Sequence, residues 1–367
     1  MGIQSIEAYP VTLRYREPFI IAPSITVESH NVIVKVITDF EAVGIGESSP
    51  SKRVTKETPQ TVIETLDKIA PHLVGMCPLR IEQISETMDE LASENPSVKA
   101  AVDMALHDIL GKASRKPLFK LLGGFREDIL TDFTLSIKDP KEMAKDAVKA
   151  VKRGFKALKV KVGVNPPEDF ERIRKIREAV GSEIAIRIDA NQGWTIKEAI
   201  AVLNKLEPLQ IEFVEQPVKA SDIHGLAEIR EASPIPVMAD ESVHTPEDAL
   251  HLIEEKAVDI INIKLMKSGG ILKARKIVDI TEAANVPCMI GCMGESTVGI
   301  TAAVHVAAAL KNIRYADLDS DILIMDKLVS KGGAKLKESK RVPSRKPGLG
   351  IIQLNEKLLG KPLRVYK

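Results

Sequence analysis

After Gly124 the chain alternates strictly between short apolar runs and amphipathic helical segments, and this alternation constrains the fold more than any other feature. Runs at Thr131–Ile137, Ala157–Val162, Ile184–Asp189, Ile211–Glu215, Val237–Asp240, Ile260–Lys264, Val286–Gly291 and Ile313–Asp317 read as strands. Segments such as Pro140–Arg153, Glu168–Val180, Ile196–Leu206 and Gly270–Ala284 fill the gaps at helical spacing. Eight strands joined by seven helices predict a closed parallel barrel rather than an open sheet. The pattern ends on a strand, so the eighth helix is absent or supplied by the tail.

The preceding residues have a different texture. Ile3–Thr12, Asn31–Thr38 and Ala42–Glu47 read as antiparallel strands, separated by long loops at Glu17–Ser29 and, after them, Ser48–Thr58. Helical spacing follows at Thr61–Leu73, Arg80–Leu91 and Ser97–Ala113. The expected organisation is an α+β unit over residues 1–125, a barrel over 126–325, and a Lys-rich, irregular tail over 326–367 that returns to the first unit. A net charge of +1 over 367 residues gives no support to nucleic-acid or membrane-surface binding. No secretory signal or bilayer-length apolar run is read, and Cys77, Cys288 and Cys292 fit no disulfide framework, so a reduced cytoplasmic setting is expected.

Barrel strands finish in apolar or turn residues unless that face carries chemistry. Here five successive units finish in Lys159/Lys161, Asp189, Glu215, Asp240 and Lys264, at intervals of 28, 26, 25 and 24 residues from Lys161 onward. Each interval is one strand–helix unit, so these residues occupy equivalent positions around the mouth. A single acid there would serve as a helix cap. Three in register need a cation, because like charges raise one another's pKa. The set is all carboxylate, without His or Cys, which predicts one Mg²⁺ per subunit held by Asp189, Glu215 and Asp240.

Lys159 and Lys161 share one face of their strand, with Leu158, Val160 and Val162 on the other. Taken alone they would be a solvated edge. In the ring, Lys161 precedes the acids and Lys264 follows them, so the two face each other across the metal. A carboxylate chelating that metal would place its α-carbon between them. One lysine would take the α-proton from one face and the other would return it to the opposite face, through a metal-stabilised enediolate. Base action needs a neutral amine, whose pKa a divalent ion and a neighbouring Lys159 would lower. Lys161 and Lys264 are the expected catalytic pair, with Lys159 orienting and tuning. Lys267, one turn past Lys264, is expected to be solvated.

Lys159-Val160-Lys161, Asp189-Ala190-Asn191, Glu215-Gln216-Pro217, Asp240-Glu241-Ser242 and Lys264-Leu265-Met266-Lys267-Ser268-Gly269-Gly270 together resemble the signature of the enolase superfamily, muconate-lactonizing subgroup. The resemblance runs over essentially the whole chain. It implies a modified (β/α)7β TIM-type barrel under an α+β capping domain formed by the N-terminal region and the C-terminal tail. It also implies that capping loops, here Phe19–Val27 and Ser48–Thr55, close over the mouth and choose the substrate. Members often form symmetric oligomers, so the resemblance allows a homo-oligomer, while the sequence itself leaves the oligomeric state open. The subgroup contains epimerases, racemases, cycloisomerases and a dehydratase.

Strand seven ends Gly291-Cys292-Met293-Gly294-Glu295-Ser296, without the His that serves as second base in the mandelate-racemase pattern. Strand eight ends Asp317-Leu318-Asp319, two carboxylates on one face, which suits a substrate ammonium. Asp321 leaves open which two of these acids point inward. Both segments resemble those of the dipeptide epimerases, in which the acidic pair holds the α-amino group of the dipeptide. Thr134 then contacts substrate by resemblance, and Lys159, Cys292, Met293, Asp317 and Asp319 complete the substrate-binding set, Cys292 by its size rather than as a nucleophile.

The expected activity is Mg²⁺-dependent inversion of the α-carbon in a dipeptide's C-terminal residue. N-acylamino acid racemase, o-succinylbenzoate synthase and muconate cycloisomerase are alternatives within the subgroup, and a silent binding protein is one outside it. An acidic second residue would want a cation, and Arg53, with Lys52 and Lys56, offers the nearest; Phe19-Ile20-Ile21-Ala22-Pro23 suits an apolar side chain equally. His224, His244, His251 and His305 are expected in surface or packing roles, with Trp194 under the third strand–helix loop.

Overall fold

A computed structural model describes residues 2–22 and 24–367; Pro23, part of the expected first capping loop, lies outside the described residues. From Phe133 onward the apolar runs form one parallel eight-stranded sheet whose neighbours follow chain order. Its strands, numbered here one to eight, are Phe133–Leu135, Ala157–Lys161, Ala185–Asp189, Ile211–Glu215, Val237–Ala239, Ile260–Lys264, Cys288–Gly291 and Ile313–Asp317. The first and last share no ladder of their own; the seam is closed by Asp132 N–H donating to Ala316 O at 3.2 Å and Leu318 N–H donating to Thr131 Oγ1 at 2.8 Å. The result is a modified (β/α)7β barrel with a separate antiparallel sheet beside it.

Local chemistry sets the barrel's elements. Pro140 and Pro166 open their helices at positions where a missing N–H costs nothing. Thr195 caps Ile196–Leu206 with a reciprocal bond from Glu198, a contribution of about 1 kcal/mol. Inside the barrel a small cluster of Phe213, Met238, Ile260 and Met289 closes one end. Arg187 is buried there, its guanidinium 5.2 Å from the Phe213 ring centre and 5.1 Å from that of Tyr315, with Asp132 and Glu212 as counter-ions. A buried cation paired on both sides closes that end without an open charge.

The cap is a four-stranded sheet in the order Arg364–Tyr366, Ile3–Ile21, Ser24–Thr38, Val43–Ser48, with helix Pro96–Ala113 against its last strand. That contact requires glycine. A Cβ on Gly44 would sit 2.0 Å from Ala105 O, and one on Gly46 1.8 Å from Ala101 O. The close approach delivers Glu47 to the junction with the barrel.

Two expectations change here, and the open one about the eighth helix resolves to its absence. The Glu17–Ser29 segment is not a loop: Phe19–Ile21 pairs with Ser24–Thr26, so the two long strands continue as a ribbon over the barrel. The tail is not irregular. It contributes Lys335–Lys337 and Lys340–Val342, which join Ile129–Leu130, and Arg364–Tyr366, which joins the cap sheet at Ile6–Ala8. In place of an eighth barrel helix there is only Ser320–Leu323. Among the described residues no helix is long and apolar enough to cross a membrane, and the three cysteines are free.

Candidate active site

Alternation within the strands carries the expected polar residues to one end of the barrel. There Lys159, Lys161, Asp240, Lys264, Asp317 and Asp319 border a cavity of about 820 Å³, roofed by the ribbon and by the Ser49–Gln60 segment, while Asp189 and Glu215 are fully buried beside them and do not line it. Lys161 ends strand two and Lys264 ends strand six, four strands apart in an eight-stranded ring and so on opposite sides. Asp189 and Glu215 end strands three and four, and Asp240 directly follows strand five. Asp317, ending strand eight, lies across the ring from Glu215.

The three acids are almost fully buried, and lysines compensate them. Lys159 Nζ lies 3.0 Å from Asp189 Oδ2, 2.7 Å from Glu215 Oε2 and 2.8 Å from Asp317 Oδ2. Lys161 Nζ is 2.5 Å from Asp189 Oδ2, and Lys264 Nζ is 2.7 Å from Asp240 Oδ2. Burial, followed by the charges of Asp189 and Asp240, pushes Glu215 up to about 8. Its Oε2 accepts no hydrogen bond, although the Lys159 ammonium is within ion-pair distance. A crowded, oxygen-only carboxylate set with a buried, unbonded oxygen is a fitting receptor for a hard divalent cation such as Mg²⁺.

Burial disfavours the Lys264 ammonium, but Asp240, then Glu215 and Glu241, outweigh it and raise its pKa rather than lower it. A base at this position therefore needs Asp240 engaged elsewhere, which a cation on the acids would accomplish. Lys159 behaves alike: burial opposes its charge, and Asp317, Glu215 and Asp189 hold it well above the usual lysine range.

At strand eight, Asp317 and Asp319 line the cavity while Asp321 turns away to Arg341 and Thr297. Arg341 is buried and also donates to Leu318 O at 2.7 Å, which fixes this segment. Thr134 meets the pair from strand one: its N–H donates to Asp319 Oδ2 at 2.6 Å and its hydroxyl to Asp317 Oδ1 at 3.4 Å. Burial and then the Asp317 charge push Asp319 up to about 7. Two buried carboxylates in this state favour an incoming cation. Cys292 brings its sulfur within 4.8 Å of both carboxylates. Burial holds that thiol protonated, so the trio suits an organic ammonium better than a metal.

Met293 and Cys292 line the cavity on the segment after strand seven, which the cap holds in place. Glu47 accepts from Ser296 N–H at 2.9 Å, Ser296 Oγ at 2.8 Å, Gly299 N–H at 2.7 Å and Asn31 Nδ2 at 2.8 Å. Asn31 and Ser29 also donate to Gly294 O.

Four polar residues escaped the sequence reading. Lys267 is buried rather than solvated: the short helix Leu265–Ser268 turns it back, and it donates to Asp240 Oδ1 at 2.6 Å and Asn262 O at 3.2 Å. Asn262 donates to Glu215 Oε1 at 2.8 Å; its place two residues before Lys264 in a strand was the available signal. Asn191 donates to Glu241 Oε1 at 3.3 Å and accepts from Lys161 at 3.1 Å. Glu241 lines the cavity beside Asp240. Trp194 is buried and donates to Asp169 Oδ2, and His305 is buried in a packing role.

Comparison with known proteins places this geometry. Residues 142–357 match the family described as Enolase C-terminal domain-like, and residues 5–123 match the Mandelate racemase / muconate lactonizing enzyme N-terminal domain. An L-Ala-D/L-Glu epimerase from Clostridium acetobutylicum is 45% identical over 359 residues, covering 97% of this chain and 100% of that protein. A hydrophobic dipeptide epimerase from Enterococcus faecalis is 44% identical over 321 residues, covering 87% and 91%. The crystal structure of the dipeptide epimerase from Enterococcus faecalis, complexed with Mg and the dipeptide L-Leu-L-Tyr, superposes with a TM-score of 0.94 at 42% identity, covering 96% of this chain and 100% of that one.

Proposed function

The chain belongs to the enolase superfamily, in its mandelate racemase/muconate lactonizing branch, and we propose that it is a Mg²⁺-dependent dipeptide epimerase inverting the α-carbon of the C-terminal residue. It is an isomerase acting on amino acid derivatives. The observation that carries the reading is the placement of Lys161 and Lys264 on opposite sides of one cavity, with an acidic pair for an ammonium on a third side.

Asp189, Glu215 and Asp240 are the residues that would hold the metal. When bound there, Mg²⁺ supplies the positive charge that the lysines now supply, and acidifies the α-proton of a substrate carboxylate. Lys161 and Lys264 then address the two faces of the α-carbon, one as base and the other as acid, with roles exchanged for the opposite diastereomer. Asp317 and Asp319 receive the α-ammonium, which fixes the dipeptide's direction in the cavity. Lys159 ties the metal acids to this pair. Thr134 holds the pair in place, and Cys292 and Met293 shape the adjoining wall. A substrate without a free ammonium, such as an N-acylamino acid, would leave buried Asp319 without a counter-ion, since Lys159 pairs only with Asp317 of the two. Residues 1–125 with 326–367 act as the cap over the barrel of 126–325, and the protein works as a cytoplasmic homo-oligomer.

The test is α-proton exchange. With Mg²⁺ in D₂O, L,L-dipeptides should gain deuterium at the C-terminal α-carbon and yield the L,D product, followed by NMR. Absence of deuterium from every dipeptide tried would overturn the proposal.

A further inference from the structure

The inference here rests on the epimerase reading and extends it to the second side chain. With the carboxylate at the acids, the α-carbon between Lys161 and Lys264, and the ammonium at Asp317 and Asp319, that side chain has one direction left, toward the cap. The wall it meets includes Phe19, Ile21 and Thr26 of the ribbon and Ser51, Arg53 and Val54 of the second cap segment.

Arg53 is the cation best placed for an acidic side chain, and it is already engaged. Its Nη1 donates to Ala22 O at 2.6 Å and its Nη2 to Glu241 Oε1 at 3.3 Å. Glu241 is buried, and its other oxygen has no hydrogen-bond partner. Arg53 is therefore the direct counter-ion of this carboxylate. Turning it toward a substrate acid would strand Glu241 beside Asp240, at the cost of an unpaired buried charge. The other cap cations do not replace it. Lys52 borders the cavity as an exposed side chain, so its ammonium stays hydrated and gains little from pairing with an acid; Lys56 does not border the cavity, and His30 bonds Thr12 while lying 3.7 Å from Glu28. Glu28 itself lines the wall and would repel an acid.

We infer that the enzyme prefers dipeptides with an apolar C-terminal residue, and that Arg53 is a strut joining ribbon, second cap segment and barrel rather than a carboxylate receptor. A carboxylate brought to this wall would lose hydration without gaining a buried counter-ion, since the one cation left beside it, Lys52, is exposed.

The test compares L-Ala-L-Leu, L-Ala-L-Tyr and L-Ala-L-Glu with the Mg²⁺-loaded full chain, by deuterium incorporation at the second α-carbon. The apolar substrates should exceed L-Ala-L-Glu in kcat/KM by at least about tenfold. Equal or faster turnover of L-Ala-L-Glu would overturn the preference while leaving the epimerase reading intact. No exchange with any of the three would overturn both. Ile21→Arg places a free cation on the same wall and should raise L-Ala-L-Glu relative to L-Ala-L-Leu by about tenfold. An unchanged ratio in that variant, folded by circular dichroism, would show that the wall does not face the second side chain and would overturn the inference.

Discussion

Lys159 Nζ lies 2.8 Å from Asp317 Oδ2, a contact from the middle of strand two, past strand one, to the end of strand eight. The same ammonium is within 3.0 Å of Asp189 and Glu215, so one charge compensates three buried carboxylates. Lys159→Met keeps the length of the side chain and removes that charge. Urea unfolding in EDTA should show a loss of about 3 kcal/mol, the scale for breaking a buried ion pair. Mg²⁺ should restore part of it by compensating Asp189 and Glu215. An unchanged midpoint in EDTA would show that Lys159 is dispensable to the cluster.

Lys161→Ala and Lys264→Ala should each abolish epimerisation, by about 10³-fold or more, since general acid–base groups contribute on that scale. Each variant should keep α-proton exchange with one diastereomer and lose it with the other, in opposite senses. Measured by NMR in D₂O, full epimerisation by either variant would show that the pair is misassigned.

Asp317→Asn and Asp319→Asn should each reduce kcat/KM for dipeptides by roughly 10- to 100-fold, as expected for a lost charge-assisted bond to the substrate ammonium. Asp321→Asn is the contrast. It weakens the contact to Arg341 and should appear in thermal stability more than in KM.

His305 gives a pH dependence away from the metal acids. Its Nδ1 accepts from Phe119 N–H at 3.0 Å and its Nε2 faces Leu349 O at 3.3 Å, so the neutral ring joins three segments. Burial pushes it down to about 4 from the ordinary 6.5. As pH falls the unfolded chain takes up this proton first and the folded protein only near 4. The stabilisation is therefore complete above about pH 6.5 and is lost between there and pH 4, amounting to about 3 kcal/mol. His305→Gln should make that part of a stability–pH curve measured by chemical denaturation less steep, leaving the slopes of the carboxylates and of His244, which burial also pushes down to about 4.

The barrel was legible because its information is local and periodic. Ile211–Glu215, Ile260–Lys264 and Ile313–Asp317 carry their strand character and their terminal charge in five residues each, and the structure has those spans. The cap ribbon was not, because Pro18, Pro23 and a low charge density resemble a loop; the β-branched and aromatic residues in Phe19-Ile20-Ile21 and Ile25-Thr26-Val27 were the stronger signal. In the tail, Lys335–Lys337 and Lys340–Val342 form a hairpin of only three residues a side, and Lys340–Arg341 and Arg364–Tyr366 pair with Ile129–Leu130 and Ile6–Ala8, far away in sequence, so no local pattern announces them. Lys267 was misread because its burial depends on a helix of four residues, Leu265–Ser268, too short to leave a periodic trace. The partners of Arg53 could not be read in advance, since Ala22 O and Glu241 come from two different parts of the fold.

The ring carries a symmetry that the chain lacks. A plane through Glu215 and Asp317, on strands four and eight, relates strand two to strand six and strand three to strand five. Lys161 pairs with Asp189 on one side of it and Lys264 with Asp240 on the other, each lysine bound to the acid one strand nearer the plane. A homochiral polypeptide thus builds, at one spot, an approximate mirror image of half its own site. Inverting a stereocentre asks for this, because the forward and reverse directions begin from opposite hands. What breaks the mirror is the surrounding wall, and the extent to which it does so sets how unequally the two hands are bound.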